Sequence, residues 1–473
     1  MLKKLFSHSF LYAIGPQVPK LANILVLPII TQYLTAEDYG IYGTLLAYSG
    51  LLGGLKIMGF EVLLVNSFFK KSNWLEYWGR YFMGLSIYSI IFSVIYISVL
   101  YLFMPKEVGS NLWIVIGLIV IPATFFNIVN VFGGRYFQLV QKPKYIALIT
   151  AVVGIFTIGL NLFTIAHLKL GYLGWFISSA LGAALSFVLY AYPLFKQVNL
   201  KPILTLNKNF WKKSLRVALP TIPHNYSAYL LNSSDRLVMD QLKTPIDQIG
   251  VYNLAYIFGG YIEFFGNAVG MAVGPYITGL YAKKNEESEK QVKTLVYLLQ
   301  VGFIFICAVV SLWAKELFDI LIRKEELSAA YPISIIIIMG HAYRPLYWVT
   351  VSKLIFYEKT NQLWKISFVA GIFNVGLNFI FIPLYGVYGA AVTTLFSLIY
   401  LGLAPFYIKQ YRSLGNQKYH QLKWMGVIIL FTVLLFLLKD LAVIYKALLS
   451  LLFLIILISY FLSERKKLNQ INI

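Results

Sequence analysis

Fourteen times along this chain an apolar run of about membrane-crossing length recurs, and that repetition restricts the fold severely. Within hydrocarbon every backbone N–H and C=O must be satisfied inside the protein, which leaves α-helices and closed barrels; runs near 20 residues select helices. The runs fall near 11–33, 41–65, 79–103, 112–133, 145–166, 172–195, 216–239, 251–278, 294–314, 332–352, 364–383, 387–408, 424–438 and 443–462. The expected fold is an all-α polytopic membrane protein of about 14 transmembrane helices. Composition excludes a water-surrounded globule: 12% of residues are charged and 59% hydrophobic, against roughly a quarter and a half in soluble domains. Cys307 is the only cysteine, so no disulfide framework is available. Pro16, Pro19 and Lys20 interrupt the first run and no small-x-small cleavage site follows, so it reads as a span rather than a leader.

The net charge of +21 is explained by placement. With the N-terminus inside, 28 of the 40 lysines and arginines fall on cytoplasmic segments, 8 on outer loops and 4 within spans. The richest cytoplasmic segment carries Lys196, Lys201, Lys208, Lys212, Lys213 and Arg216; Lys353 is also assigned inside, and Lys446 to an outer loop. This asymmetry predicts both termini in the cytoplasm, and it makes membrane lipids rather than nucleic acid the natural partner of the basic surface.

Rarer residues recur at matched spacing in the two halves. Pro16 and Pro19 are echoed by Pro220 and Pro223, and Gly40-Ile-Tyr42 by Gly250-Val-Tyr252. GIFTIGLN, from Gly154 to Asn161, returns as GIFNVGLN from Gly371 to Asn378, and Gly171 and Gly174 match Gly386 and Gly389. Four ordered pairs with offsets of 204, 210, 217 and 215 indicate a duplicated six-span unit. An even number of spans makes the repeats parallel, a two-bundle transporter plan with its substrate site between bundles near the midplane. The expected divisions are a first bundle over 1–210, a second over 211–410, and two additional helices with a cytoplasmic tail over 411–473.

Lys20, Lys56, Arg236 and Arg344, with Glu61, Asp235 and Glu263, fall inside predicted spans. A charge at the bilayer centre costs about 2.5–3.5 kcal/mol on insertion scales, so these side chains are expected to face protein or water. Asn225, Tyr229, Asn232 and Arg236 share one stripe of the seventh span; Asn253, Tyr256, Gly260, Glu263 and Asn267 share one of the eighth; His341, Arg344 and Trp348 share one of the tenth. Together they describe walls of a polar cavity. The competing reading is structural pairing, for example Lys56 with Glu61 or Arg236 with Glu263, that only fixes helix packing. Lys20 and His224 each follow the second proline of a matched PxxP and so occupy equivalent positions. There is no P-loop, no cysteine or histidine cluster for a metal and no placeable nucleophile triad, so neither an enzyme nor a cofactor is expected. Drive must then come from an H+ or Na+ gradient, the substrate gradient or removal of product, with Glu263 and His224 as titrating candidates.

The stretch LTAEDYGIY from Leu34 to Tyr42 resembles polysaccharide biosynthesis flippases, as do Asp235–Val238 followed by Ile249–Ala255, and LNFIFIPLYGVYGAA from Leu377 to Ala391. The chain is identified on these motifs as similar to Wzx-type O-antigen and capsule repeat-unit flippases of the multidrug/oligosaccharidyl-lipid/polysaccharide exporter superfamily. The resemblance implies translocation of an undecaprenyl-pyrophosphate-linked oligosaccharide across a bacterial plasma membrane, with polysaccharide polymerase and chain-length proteins as partners. Lys20, Lys56, Arg236 and Arg344 would meet the pyrophosphate, and Tyr229, Asn232, Tyr256 and Trp348 the sugars. An ion-coupled multidrug or metabolite exporter is the first alternative, kept open by Glu61, Asp235 and Glu263. A membrane glycan polymerase or ligase is the second, disfavoured by the short outer loops.

Overall fold

The computed structural model describes residues 17–415 and 417–468 and is all-α. Among these residues seven helices are long and apolar enough to cross a membrane. Of the other expected spans several are shorter or interrupted, whereas one is a single 37-residue helix that carries a polar stripe.

The chain divides into two compact units, one of residues 1–226 with 321–324 and one of 227–320 with 325–473. The first contains α1 (Gln17–Ile30), α2 (Ala36–Gly53), α3 (Glu61–Lys70), α4 (Trp74–Leu102), α5 (Leu112–Ile121), α6 (Asn127–Leu139), α7 (Pro143–Asn161), α8 (Tyr172–Tyr192) and α9 (Lys208–Ala218). A further helix, α10 (Ile222–Asn232), crosses the boundary. The second unit contains α11 (Ser234–Gln241), α12 (Ile246–Ala282), α13 (Glu286–Leu312), α14 (Ala314–Leu321, its last residue in the first unit), α15 (Tyr331–Gly340), α16 (Arg344–Phe356), α17 (Leu363–Tyr407), α18 (Gln421–Leu437) and α19 (Val443–Leu468). The terminal pair α18 and α19 packs on α13 and so belongs to the second unit.

Local sequence accounts for the ends. Thr35 caps α2 in a reciprocal box with Asp38, satisfying two otherwise orphaned N–H groups. Asp38 also accepts from the backbone N–H of Tyr172 at 2.8 Å, tying the start of α2 to the start of α8. Gly171 and Gly386, matched in the sequence repeat, adopt nearly the same conformation, φ 54°, ψ −136° and φ 57°, ψ −138°. Such a left-handed backbone is open mainly to glycine, and at Gly386 it divides α17 into the predicted eleventh and twelfth spans. In the second half Tyr252, the counterpart of Tyr42, lies 3.4 Å from Thr394.

Three expected spans are not continuous helices. The second is interrupted between Gly53 and Glu61, with positive φ at Met58 and Gly59. The seventh is divided at Ser233 between α10 and α11, so Arg236 does not continue the stripe of Tyr229 and Asn232; the side chain of Asn225 lies outside the described residues. The tenth carries a tight turn at His341–Tyr343. Two cations assigned outside the spans are buried in helices instead: Lys353, 2% exposed, pairs with Glu289 at 3.0 Å, and Lys446, 0% exposed, pairs with Glu316 at 2.7 Å. Their burial is possible because each ammonium meets a carboxylate.

Candidate substrate and coupling site

Lys56 stands in the interruption of the second span. Tyrosine hydroxyls donate to carbonyls around it: Leu51 O accepts from Tyr226, and Leu55 O from Tyr88 at 3.0 Å in addition to the backbone N–H of Met58. Lys56 itself lies 5.3 Å from the Tyr96 ring and forms no ion pair among the described residues. Glu61, its supposed partner, pairs instead with Arg135 across to α6. A cation left without a carboxylate at a helix break is a ready anion contact.

In the second unit the polar stripe of α12 is continuous, and it receives both arginines. Arg236 donates from Nε to Asn253 at 3.0 Å and from Nη1 to the carbonyl of Asn232 at 2.8 Å and to Asp235 at 3.1 Å. Its guanidinium lies 4.2 Å from the Tyr256 ring, and Tyr256 in turn donates to Asn232 Oδ1 at 3.1 Å. Arg344 donates from Nη1 to Asn267 at 2.8 Å and meets Glu263 through Nη2 at 3.1 Å. At 1.5 Å per residue the two stations are about 15 Å apart along α12. The expected pairing of Arg236 with Glu263 is therefore replaced by Arg236 with Asp235 and Arg344 with Glu263. Both arginines are buried and compensated, whereas Glu263 keeps 30% of its side-chain surface exposed.

Asp235 is completely buried and accepts from Tyr252 as well as Arg236. Beyond Tyr252 the polar chain continues through Thr394 to Asn374 at 3.4 Å and Asn378 at 3.1 Å, ending at Thr393. Sequence reasoning passed over these amides because their run is apolar overall; their i, i+4 spacing within GIFNVGLN was the available signal. Gln300 was also passed over: it donates at 2.8 Å to Ala342 O, supporting the turn in the tenth span. Trp348 is half-buried and packs edge-on to Phe303 at 5.5 Å. Tyr229 is half-buried on α10. The side chains of Lys20 and His224 lie outside the described residues. No group of three or more His, Cys, Asp or Glu poised for a metal occurs among the described residues.

Buried charge stations and helices broken at polar residues, within a multi-span helical fold, are features that membrane transporters share. The family model described as polysaccharide biosynthesis protein matches residues 5–281, more than half of the chain, and the chain belongs to that family. A second model, MatE, matches residues 220–380. A curated relative from Staphylococcus aureus, capsular polysaccharide biosynthesis protein CapF, is 27% identical over 409 residues, covering 82% of this chain and 94% of that one. Among solved structures, the lipid II flippase MurJ in an inward closed conformation superposes with a TM-score of 0.65 at 13% identity, covering 94% of this chain and 98% of that one. An inward-facing MATE-family multidrug resistance transporter superposes at 0.60 with 15% identity, covering 91% and 100%. The chain is thus a polytopic member of the polysaccharide biosynthesis protein family, with a helical fold like those of the MATE and MurJ transporters.

Proposed function

We propose that this protein is a flippase that moves an undecaprenyl-pyrophosphate-linked oligosaccharide repeat unit from the cytoplasmic to the outer leaflet of a bacterial plasma membrane by alternating access, for O-antigen or another surface polysaccharide. The observation that carries the reading is Lys56, a cation without an ion pair among the described residues, at a break within an apolar segment. A pyrophosphate brings at least two negative charges into a medium of low dielectric, and an uncompensated ammonium meets it without first losing a carboxylate. Membership of the polysaccharide biosynthesis family and likeness to a capsular relative support the substrate class.

Arg236 and Arg344 are already neutralised, so their role in this reading is to hold the polar face of α12 toward the glycan, with Tyr229, Asn232, Tyr256 and Trp348 as sugar contacts. Lys20 joins Lys56 at the phosphate. Glu263, the more exposed of the two acids in the α12 network, is the coupling candidate together with His224. Both termini are cytoplasmic, and a polymerase and a chain-length protein receive the product.

The test is the orientation of lipid-linked glycan in cells lacking the protein. Repeat units should accumulate on the inner leaflet, and export should return with the wild-type gene and with Lys56→Arg, but not with Lys56→Ala. The MatE match favours a second reading, an ion-coupled exporter of cationic compounds. In that case the deletion would leave glycan orientation unchanged and raise drug sensitivity.

A further inference from the structure

From residue 108 to residue 234 the sequence contains no aspartate or glutamate, yet Lys196, Lys201, Lys208, Lys212, Lys213 and Arg216 crowd into the segment that closes the first unit. Four of these lie on α9. Lys208, Lys212 and Arg216 follow one another at i, i+4 and i+8, with Lys213 alongside, and all four are exposed. None forms an ion pair among the described residues.

The opposite face is fixed to the protein. Phe210 stacks on Tyr81 at 5.4 Å, and Trp211 donates to Thr205 O at 3.0 Å and packs beside Gly84. At its end, Ala218 and Thr221 sit against Gly59, in the same interruption that holds Lys56. The outer face is thus held in place by its own packing, and it is not purely polar. Leu204 is 60% exposed, Leu206 85%, Val217 45% and Leu219 41%. Leucines presented beside a row of uncompensated cations suit neither water nor a protein core; they suit the boundary of an anionic leaflet.

We propose that α9 and the strand of chain before it dock on anionic phospholipid headgroups, with Leu204 and Leu206 entering the acyl boundary and Lys208, Lys212, Lys213 and Arg216 binding lipid phosphates. Docking would steady the Ala218–Thr221 turn and, through Gly59, the break that presents Lys56. The inference is independent of which substrate is carried.

The test uses full-length protein with Cys307→Ala and a single cysteine at Asn209→Cys carrying an environment-sensitive fluorophore, reconstituted into mixed phosphatidylcholine and phosphatidylglycerol vesicles. Headgroup spin-labelled phosphatidylglycerol should quench the probe about fivefold more than spin-labelled phosphatidylcholine at equal mole fraction, the preference that one surface cation alone supplies. Preference should fall to parity in K208Q/K212Q/K213Q/R216Q, and should decline in the unsubstituted background as salt rises from about 0.15 M to about 1 M. The salt series reads the same attraction without relying on the quadruple variant folding. Equal quenching by the two lipids would overturn the proposal. A probe that neither lipid quenches would do so too, placing the face in water and pointing to a soluble acidic partner.

Discussion

Arg344 and Glu263 offer a way to separate transport from packing. The pair is made across 3.1 Å, with the arginine side chain 8% exposed and the glutamate 30%. Breaking a buried pair by removing one partner costs about 3–5 kcal/mol, and because Glu263 retains some access to water, Arg344→Met should fall near the lower end, about 3 kcal/mol. Glu263→Gln strands the more buried partner, so although the guanidinium keeps Asn267 at 2.8 Å a larger loss, about 4 kcal/mol, is expected. The double variant R344M/E263Q strands no charge and should lie within about 1 kcal/mol of wild type. Cys307 supplies the assay: it is the only thiol and is wholly buried, so a thiol-reactive dye reports unfolding of the purified protein in detergent. Export measured in cells should fail in all three variants although the double variant is stable. Wild-type export by the double variant would reduce the pair to a packing device, and unaltered melting of Arg344→Met would refute the electrostatic argument itself.

Other outcomes follow from the same geometry. Glu316→Gln should destabilise more than Lys446→Met, by about 3 kcal/mol or more against less than that, because Lys446 is sealed whereas Glu316 is 22% exposed; thermal melts of both read the difference. Gly386→Ala should cost about 1–3 kcal/mol from its positive-φ backbone alone, and Gly171→Ala more, since the added methyl also meets Asp38. Asp440, outside the spans, has its carboxyl held below the ordinary value by the Tyr331 hydroxyl and then by Lys315 and Lys439. Its contribution is therefore present above about pH 3.9 and lost as pH falls through the lower folded value, so melting should become acid-sensitive there in wild type and less so in Asp440→Asn. In a Cys307→Ala background, single cysteines at Asn209 and Asn285 should react only from the cytoplasmic side and those at Ser110 and Ser328 from outside; the reverse would overturn the orientation.

Much of the helical plan was legible because a long apolar run in a chain of mean hydropathy +0.72 has few other fates. The α12 stripe was legible for a related reason: Asn253, Tyr256, Glu263 and Asn267 recur at helical spacing, and the structure does bring two arginines to them. Which arginine meets which acid was not legible, since Asp235 and Arg236 are sequence neighbours that an ideal helix sets about 100° apart, on different faces. They meet here because α11 begins only at Ser234 and the Arg236 side chain curls back on the first turn. The break around Lys56 was hidden because hydropathy averages over Gly53–Phe60 without registering Met58 and Gly59 in left-handed backbone. Lys353 and Lys446 looked like loop cations because charge counting cannot see Glu289 and Glu316 approach from distant sequence.

The tyrosine hydroxyls that donate to the carbonyls of Leu51 and Leu55 bear on how the protein is made. Tyr88 follows its acceptor by 33 residues, but Tyr226 follows Leu51 by 175. A nascent chain therefore inserts α2 and α3 well before the second hydroxyl has been synthesised, with a lysine between them and a backbone carbonyl still awaiting its partner. Newly inserted α2–α3 must keep water or a biogenesis factor at that point until α10 arrives, which makes the ribosome's passage beyond Tyr226 the moment at which the first half of the protein can close.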